Sequence, residues 1–357
     1  MQKLPVAKFT GGLLLGWAAV LVCHVAATNY AGLLDRRFFM GTFSASISPL
    51  IMTITSMFYA RDEQPFRMCL FLAFNGVTTM LGALLSYGLT WQLIFLVIGA
   101  LNVLALTPDS PSTAQFLTHK EKVVAINHIA TNMNGVKNAH FQTKQSLEAL
   151  TDVKIWCLTL IGLACGIING GVSNFSSALL KGFGLSVLNA TLMQLPSGAI
   201  EFVVVPLCGL AAGRFRDTRA LWLVASCLPL QHRWALVGCS WLQYIFGAAI
   251  ILAWNLLTTN VAGHSKRALA TGLWFVFYAA GNVVGAQVFV AREAPWYHSA
   301  MITLSVCYAG IIVAALVLRQ LMWWENRRRE GSSGDEATRD GFMGLTDREN
   351  RGFRYAL

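Results

Sequence analysis

Long apolar blocks alternate with short charged ones along this chain. A bilayer core about 30 Å thick needs about 20 apolar residues in a helix, so stretches of that length without Asp, Glu, Lys or Arg mark candidate crossings. Eight are clear: Phe9–Asn29, Phe38–Ala60, Met68–Leu89, Trp156–Leu180, Thr191–Gly213, Trp234–Ala262, Ala268–Ala291 and Ser299–Leu318. A ninth, Trp91–Leu106, is shorter and follows the uncharged turn Gly88-Leu89-Thr90, which suits a helical hairpin. A tenth, Ala220–Leu230, has only 11 residues between Arg219 and Gln231 and is too short to cross unaided. The pattern predicts an all-α polytopic membrane helix bundle. Residues 1–106 form about four spans, 107–155 a polar cytoplasmic linker, 156–326 about six spans with one abbreviated, and 327–357 a charged, disordered cytoplasmic tail.

Composition agrees with this class. With 55% hydrophobic and 12% charged residues and a mean hydropathy of +0.54, the chain has too little polar surface for a soluble globule of 357 residues. A net charge of +10 raises nucleic acid as a partner, but the basic residues flank apolar runs rather than gather on a soluble face, which excludes it. Charge also sets orientation, because loops rich in Lys and Arg stay in the cytoplasm. With alternating crossings, all of the 27 lysines and arginines except Arg36, Arg37, Lys181, Arg233 and Arg292 fall on one side, which holds the linker and the tail. That count requires Ala220–Leu230 to take part in a crossing. Lys3 and Lys8 before an apolar run resemble a signal peptide, but the run continues to Asn29 without a small-residue cleavage site. The eight cysteines lack CxxC spacing and histidine partners, so they read as small buried hydrophobes with no metal or disulfide role.

Few polar residues lie at membrane depth, and each invites a reading. Glu201 is the only acid well inside a span. A carboxylate there costs about 2.5–3.5 kcal/mol unless protonated, paired or facing water, so it is either a proton-coupling acid or a carboxyl held neutral by a neighbouring helix. Arg37 offers a planar fork to an anionic substrate, or it is a packing arginine whose head reaches the outer surface. Asn75, Asn169, Asn174, Asn255, Tyr278, Asn282 and Gln287 either line a cavity or hydrogen-bond between helices. Gly162, Gly166 and Gly170, then Gly209 with Gly213, and Gly281 with Gly285, recur every four residues and predict close helix seams. Asp62, Glu63 and Arg67, with Asp217 and Arg219, are candidates for a cytoplasmic gate of ion pairs, or are solvated loop charges. The histidines form no cluster, so no catalytic residue, metal site or cofactor is assigned and the chain does not read as an enzyme.

Several segments carry a family resemblance. Arg37-Phe38-Phe39-Met40-Gly41, Ile54 to Tyr59 followed by Arg61 to Arg67, Phe74-Asn75-Gly76 and Leu106 to Pro111 resemble the major facilitator superfamily, more narrowly its fungal anion:cation symporters, the allantoate-permease-like branch. Ser173-Asn174-Phe175, Gly209 to Asp217, Asn260 to Arg267 and Tyr278 to Gly285 continue the match. The resemblance implies two pseudo-repeated halves and alternating-access proton symport of a small organic anion of the carboxylate or ureide class. It also implies a plasma-membrane location and no cofactor. By family position Asn174 and Asn282 are the best candidates to line the cavity; with Arg37, Asn75 and Tyr278 they are the candidate substrate contacts, and Glu201 is the candidate for proton coupling, while the oligomeric state is left open. Aligned to the family's twelve spans, the sequence begins before helix three and lacks most of helix nine. Ser44 and Ala286 replace an acidic residue and a proline common in the branch. The alternative to anion transport is a non-transporting fragment or a transporter-derived sensor, and these 357 residues alone are expected not to transport.

Overall fold

The computed structural model describes residues 6–23, 29–60, 62–85, 118, 120–124, 142–182, 195–214, 246–293, 297–329, 345–350 and 352–357. These hold ten α-helices of eight residues or more: α1 (Val6–Cys23), α2 (Tyr30–Ala45), α3 (Ile47–Phe58), α4 (Gln64–Leu85), α5 (Thr143–Thr151), α6 (Val153–Gly182), α7 (Leu195–Arg214), α8 (Phe246–Asn260), α9 (His264–Val288) and α10 (His298–Arg328). Among the described residues there is no strand. Five helical stretches are long and apolar enough to cross a membrane: Tyr30–Phe58, Val153–Gly171, Leu195–Arg214, His264–Val288 and His298–Arg328. The expected spans Trp91–Leu106 and Ala220–Leu230 lie outside the described residues.

The helices overrun the apolar blocks that predict them. The expected span Phe38–Ala60 begins at Tyr30 and takes in Asp35, Arg36 and Arg37, with a turn at Ser46 dividing α2 from α3. In the same way α9 includes Lys266 and Arg267, and α10 runs on past Leu318 to Arg328. Backbone hydrogen bonding does not stop where hydrocarbon ends: Arg37 is exposed and carries its charge to the surface, whereas Lys266 is buried against acidic partners.

α8 is the hub: every residue in it except Gly247 is buried, and it touches α3, α4, α6, α7 and α9. A helix apolar on all sides belongs at the centre of a bundle. Two tight seams flank it, α4 against α7 and α6 against α9.

The end of the chain corrects the expectation of a disordered tail. Phe353, Tyr355 and Leu357 are buried, as are Thr346, Asp347 and Asn350. Charge-rich composition argues for disorder only when too little apolar surface can be covered. Here three large side chains at alternate positions of an extended segment all find the interior. The linker is also engaged. Gln142 N–H donates to Ser265 Oγ at 2.9 Å, Ser265 N–H donates to Gln145 Oε1 at 3.2 Å, and Lys266 reaches Glu148 and Asp152, so α5 is pinned to the start of α9.

Candidate functional site: a buried carboxyl at a helix seam

α4 and α7 run antiparallel and approach through small residues. Gly76 meets Gly198, Gly209 meets Cys69 and the Pro65 carbonyl, and Gly213 meets the Asp62 carbonyl. A Cβ on Gly76 would strike the carbonyl oxygen of Gly198. Glycine is thus required here by the closeness of the two backbones.

That approach encloses Glu201, which is 3% exposed. Its Oε1 accepts a hydrogen bond from Asn75 Nδ2 at 3.3 Å. Its Oε2 is buried with no partner among the described residues. Gly247 of α8 faces the same group, since a Cβ there would lie 3.7 Å from Oε1. One carboxyl therefore sits between three helices with a single long hydrogen bond from a neutral amide and no cation beside it among the described residues. A carboxyl so placed is costly as an anion, and it becomes inexpensive when it holds a proton or when the helices part to admit water. The neighbouring polar group is Asn75, itself a candidate substrate contact.

The second seam carries two further candidates. Gly162, Gly166 and Gly170 of α6 lie against Trp274, Tyr278, Gly281 and Asn282 of α9, with both helices running in the same direction. Asn169 Nδ2 donates to Asn282 Oδ1 at 2.8 Å, and Asn282 Nδ2 donates to the Tyr278 carbonyl at 2.9 Å. The Tyr278 ring stacks on Trp274 at 5.1 Å, and Trp274 meets Trp254 of α8 edge-on at 5.3 Å. Tyr278 and Asn282 thus share a polar and aromatic seam that borders α8.

The remaining candidates are not gathered there. Arg37 is exposed on α2, which packs on α1 and α3, and it makes no polar contact among the described residues. The Asn174 side chain, Asp217 and Arg219 lie outside the described residues. At the expected gate, Arg67 lies over the Tyr59 ring at 4.9 Å and makes no ion pair among the described residues. Glu63 instead opens α4, its carbonyl accepting from Arg67 N–H at 3.1 Å.

The densest polar cluster is one the motif reading passed over. Lys266, 0% exposed, donates to Glu148 at 2.9 Å, Asp152 at 2.8 Å and Asp347 at 2.7 Å. All three ammonium protons are used. Lys154 reaches Glu325 at 2.9 Å, Asp347 at 3.3 Å and the Tyr355 hydroxyl at 2.6 Å. A basic residue pair at helix starts and one acid in an aromatic tail were the available signal.

Comparison with known proteins gives this arrangement a setting. Residues 1–229 match the profile of the Major Facilitator Superfamily. An uncharacterized transporter of Schizosaccharomyces pombe is 33% identical over 386 residues, covering 99% of this chain and 74% of that protein. The allantoate permease of Saccharomyces cerevisiae is 30% identical over 393 residues, 99% of this chain and 72% of the permease. The crystal structure of the human organic anion transporter MFSD10 superposes with a TM-score of 0.57 at 16% identity, over 88% of this chain and 79% of that one, which speaks to the fold.

Proposed function

As this chain belongs to the Major Facilitator Superfamily, a family of multi-pass membrane transporters and not of enzymes, we propose that its small-molecule cargo is an organic anion of the carboxylate or ureide class, moved together with a proton by alternating access. The buried Glu201 carboxyl carries the reading. It lies where α4 and α7 meet, with Oε2 unpartnered and Oε1 held by one amide among the described residues. An acid whose surroundings change as two helices part binds a proton in one arrangement and releases it in the other. Neutralising a proton alongside an anion lowers the charge that has to cross the low-dielectric interior. Support for the anion comes from two similar proteins whose names describe an allantoate permease and an organic anion transporter.

Tyr278 and Asn282 on the α6–α9 seam, with Asn174 of α6 and Arg37 of α2, are the proposed substrate contacts, and Asn75 joins the substrate path to Glu201. Asp62, Glu63, Arg67, Asp217 and Arg219 are the proposed cytoplasmic gate. The linker and the tail lie on the cytoplasmic side by the distribution of lysine and arginine, and the plasma membrane is the proposed location.

The test is uptake of labelled allantoate and small carboxylates by cells expressing the protein from its own gene under an inward proton gradient. Accumulation that a protonophore abolishes is expected. Glu201→Gln is expected to lose accumulation against a gradient while keeping part of substrate exchange; unchanged pH-dependent accumulation in that variant would return Glu201 to a packing role.

A further inference from the structure

The tail is held in ways that specify it. Tyr355 N–H donates to Asn326 Oδ1 and Asn326 Nδ2 donates to the Tyr355 carbonyl, both at 2.8 Å. One residue on, Ala356 N–H donates to Asn260 Oδ1 at 2.7 Å and Asn260 Nδ2 donates to the Ala356 carbonyl at 2.9 Å. Successive residues of an extended chain present their N–H and C=O groups to opposite sides, so α10 and α8 each supply an asparagine that acts as a neighbouring strand. Phe353, Tyr355 and Leu357 turn inward at alternate positions. Arg354 donates to the Asn326 and Arg329 carbonyls at the end of α10, where helix carbonyls run short of intrahelical donors. Main-chain pairing with pockets for alternate side chains is how folded domains recognise extended peptides.

Asp347 supplies the charge that the site is built around. Oδ1 accepts from Lys266, while Oδ2 accepts from Tyr355 at 2.7 Å and from Lys154 at 3.3 Å. The same Lys266 holds Glu148 and Asp152 at the end of α5, and Arg348 lies 3.6 Å from Asp152. Where linker and tail converge, Gly263 has a positive φ of 88°, and a Cβ there would lie 3.0 Å from Thr346 Cγ2 and 3.1 Å from Gln145 Oε1.

We propose that the ends of α6, α8, α9 and α10 form a peptide-recognition site whose occupant is this chain's own residues 346–357, and that its occupancy holds the linker helix α5 against α9 in the transporting form. An empty site leaves Lys266 with a proton unused and opens the corner at Gly263. The tail is then a ligand in cis, chosen by one acid, two amide brackets and alternate side chains.

The experiment starts from the full chain, folded with its tail in place, carrying a single protease site inserted between residues 330 and 344. After cleavage the segment is expected to stay with the transporter through gel filtration. Fluorescent synthetic peptide 345–357 should exchange into the cleaved protein and be displaced by the unlabelled peptide. Peptides with Asp347→Asn or Tyr355→Phe should compete at least tenfold more weakly. In liposomes, washing out the segment should lower anion uptake at least fivefold, and added peptide should restore it. A segment that elutes free of the folded protein, or an Asp347→Asn peptide that competes equally, overturns the site. Uptake unchanged after washout overturns the role of occupancy. The uptake arm rests on the transport reading; retention with no anion flux even before cleavage would count against that reading and leave the recognition site standing.

Discussion

Asn75→Leu removes the one donor to Glu201 among the described residues and leaves both carboxyl oxygens buried without a partner among them. An unsatisfied buried polar atom costs about 1–3 kcal/mol, so the variant is expected to unfold at lower temperature, and combining it with Glu201→Gln should cost less than the two changes summed. Strict additivity in that cycle would show that the 3.3 Å contact is idle. At the other charged site, burial pushes the Asp347 carboxyl up, but Lys266 and Lys154, with the Tyr355 hydroxyl, outweigh it and hold the group below its ordinary 3.8. A carboxyl depressed in the folded state contributes stability above its unfolded value and loses it as pH falls through the folded one. Retention of the cleaved tail should therefore be flat from neutral pH down to about 4 and fall only below that. Glu148, Asp152, Glu325 and Arg348 share the cluster, so Asp347→Asn is the control that should already be weak at pH 7. Glu201 was legible as a lone acid in an apolar run. Its partner stands 126 residues away, and nothing local in one sequence links the two. The tail was misread because averaged composition hides the alternation of Phe353, Tyr355 and Leu357.

Among the elements, the glycine rows translated directly into geometry. Residues spaced by four lie on one helix face, and both predicted seams appear where glycines permit backbone approach. Gly76→Val should separate α4 from α7, lowering thermal stability and transport together, because its Cβ meets a backbone carbonyl that cannot rotate away. Gly272 is the control: a Cβ there meets nothing within 4 Å, so Gly272→Ala should leave both unchanged. A Gly76→Val protein as stable as Gly272→Ala would mean that the seam opens without loss. Helix ends were less legible than helix cores. Arg36, Arg37, Lys266, Arg267 and Arg319 all lie within helices, whereas a search for uncharged stretches stops at each of them.

For the whole molecule, α8 and the two seams describe a transporter in which α1–α4 meet α6–α10 along α4–α7, with Glu201 in that contact. Alternating access requires the contact to change between states, and on the proposed reading the acid inside it couples that change to a proton. The tail acts on α5 through its cluster with Lys266, at a site separate from Glu201. The most direct measurement is simultaneous anion and proton flux in liposomes that hold the protein expressed from its own gene and are loaded with a pH-sensitive dye, with labelled allantoate added outside. The expected result is lumenal acidification in step with anion entry for the unaltered protein, and anion exchange without acidification for Glu201→Gln. Acidification of the same size in the Glu201→Gln protein would contradict the assignment of the proton to this carboxyl.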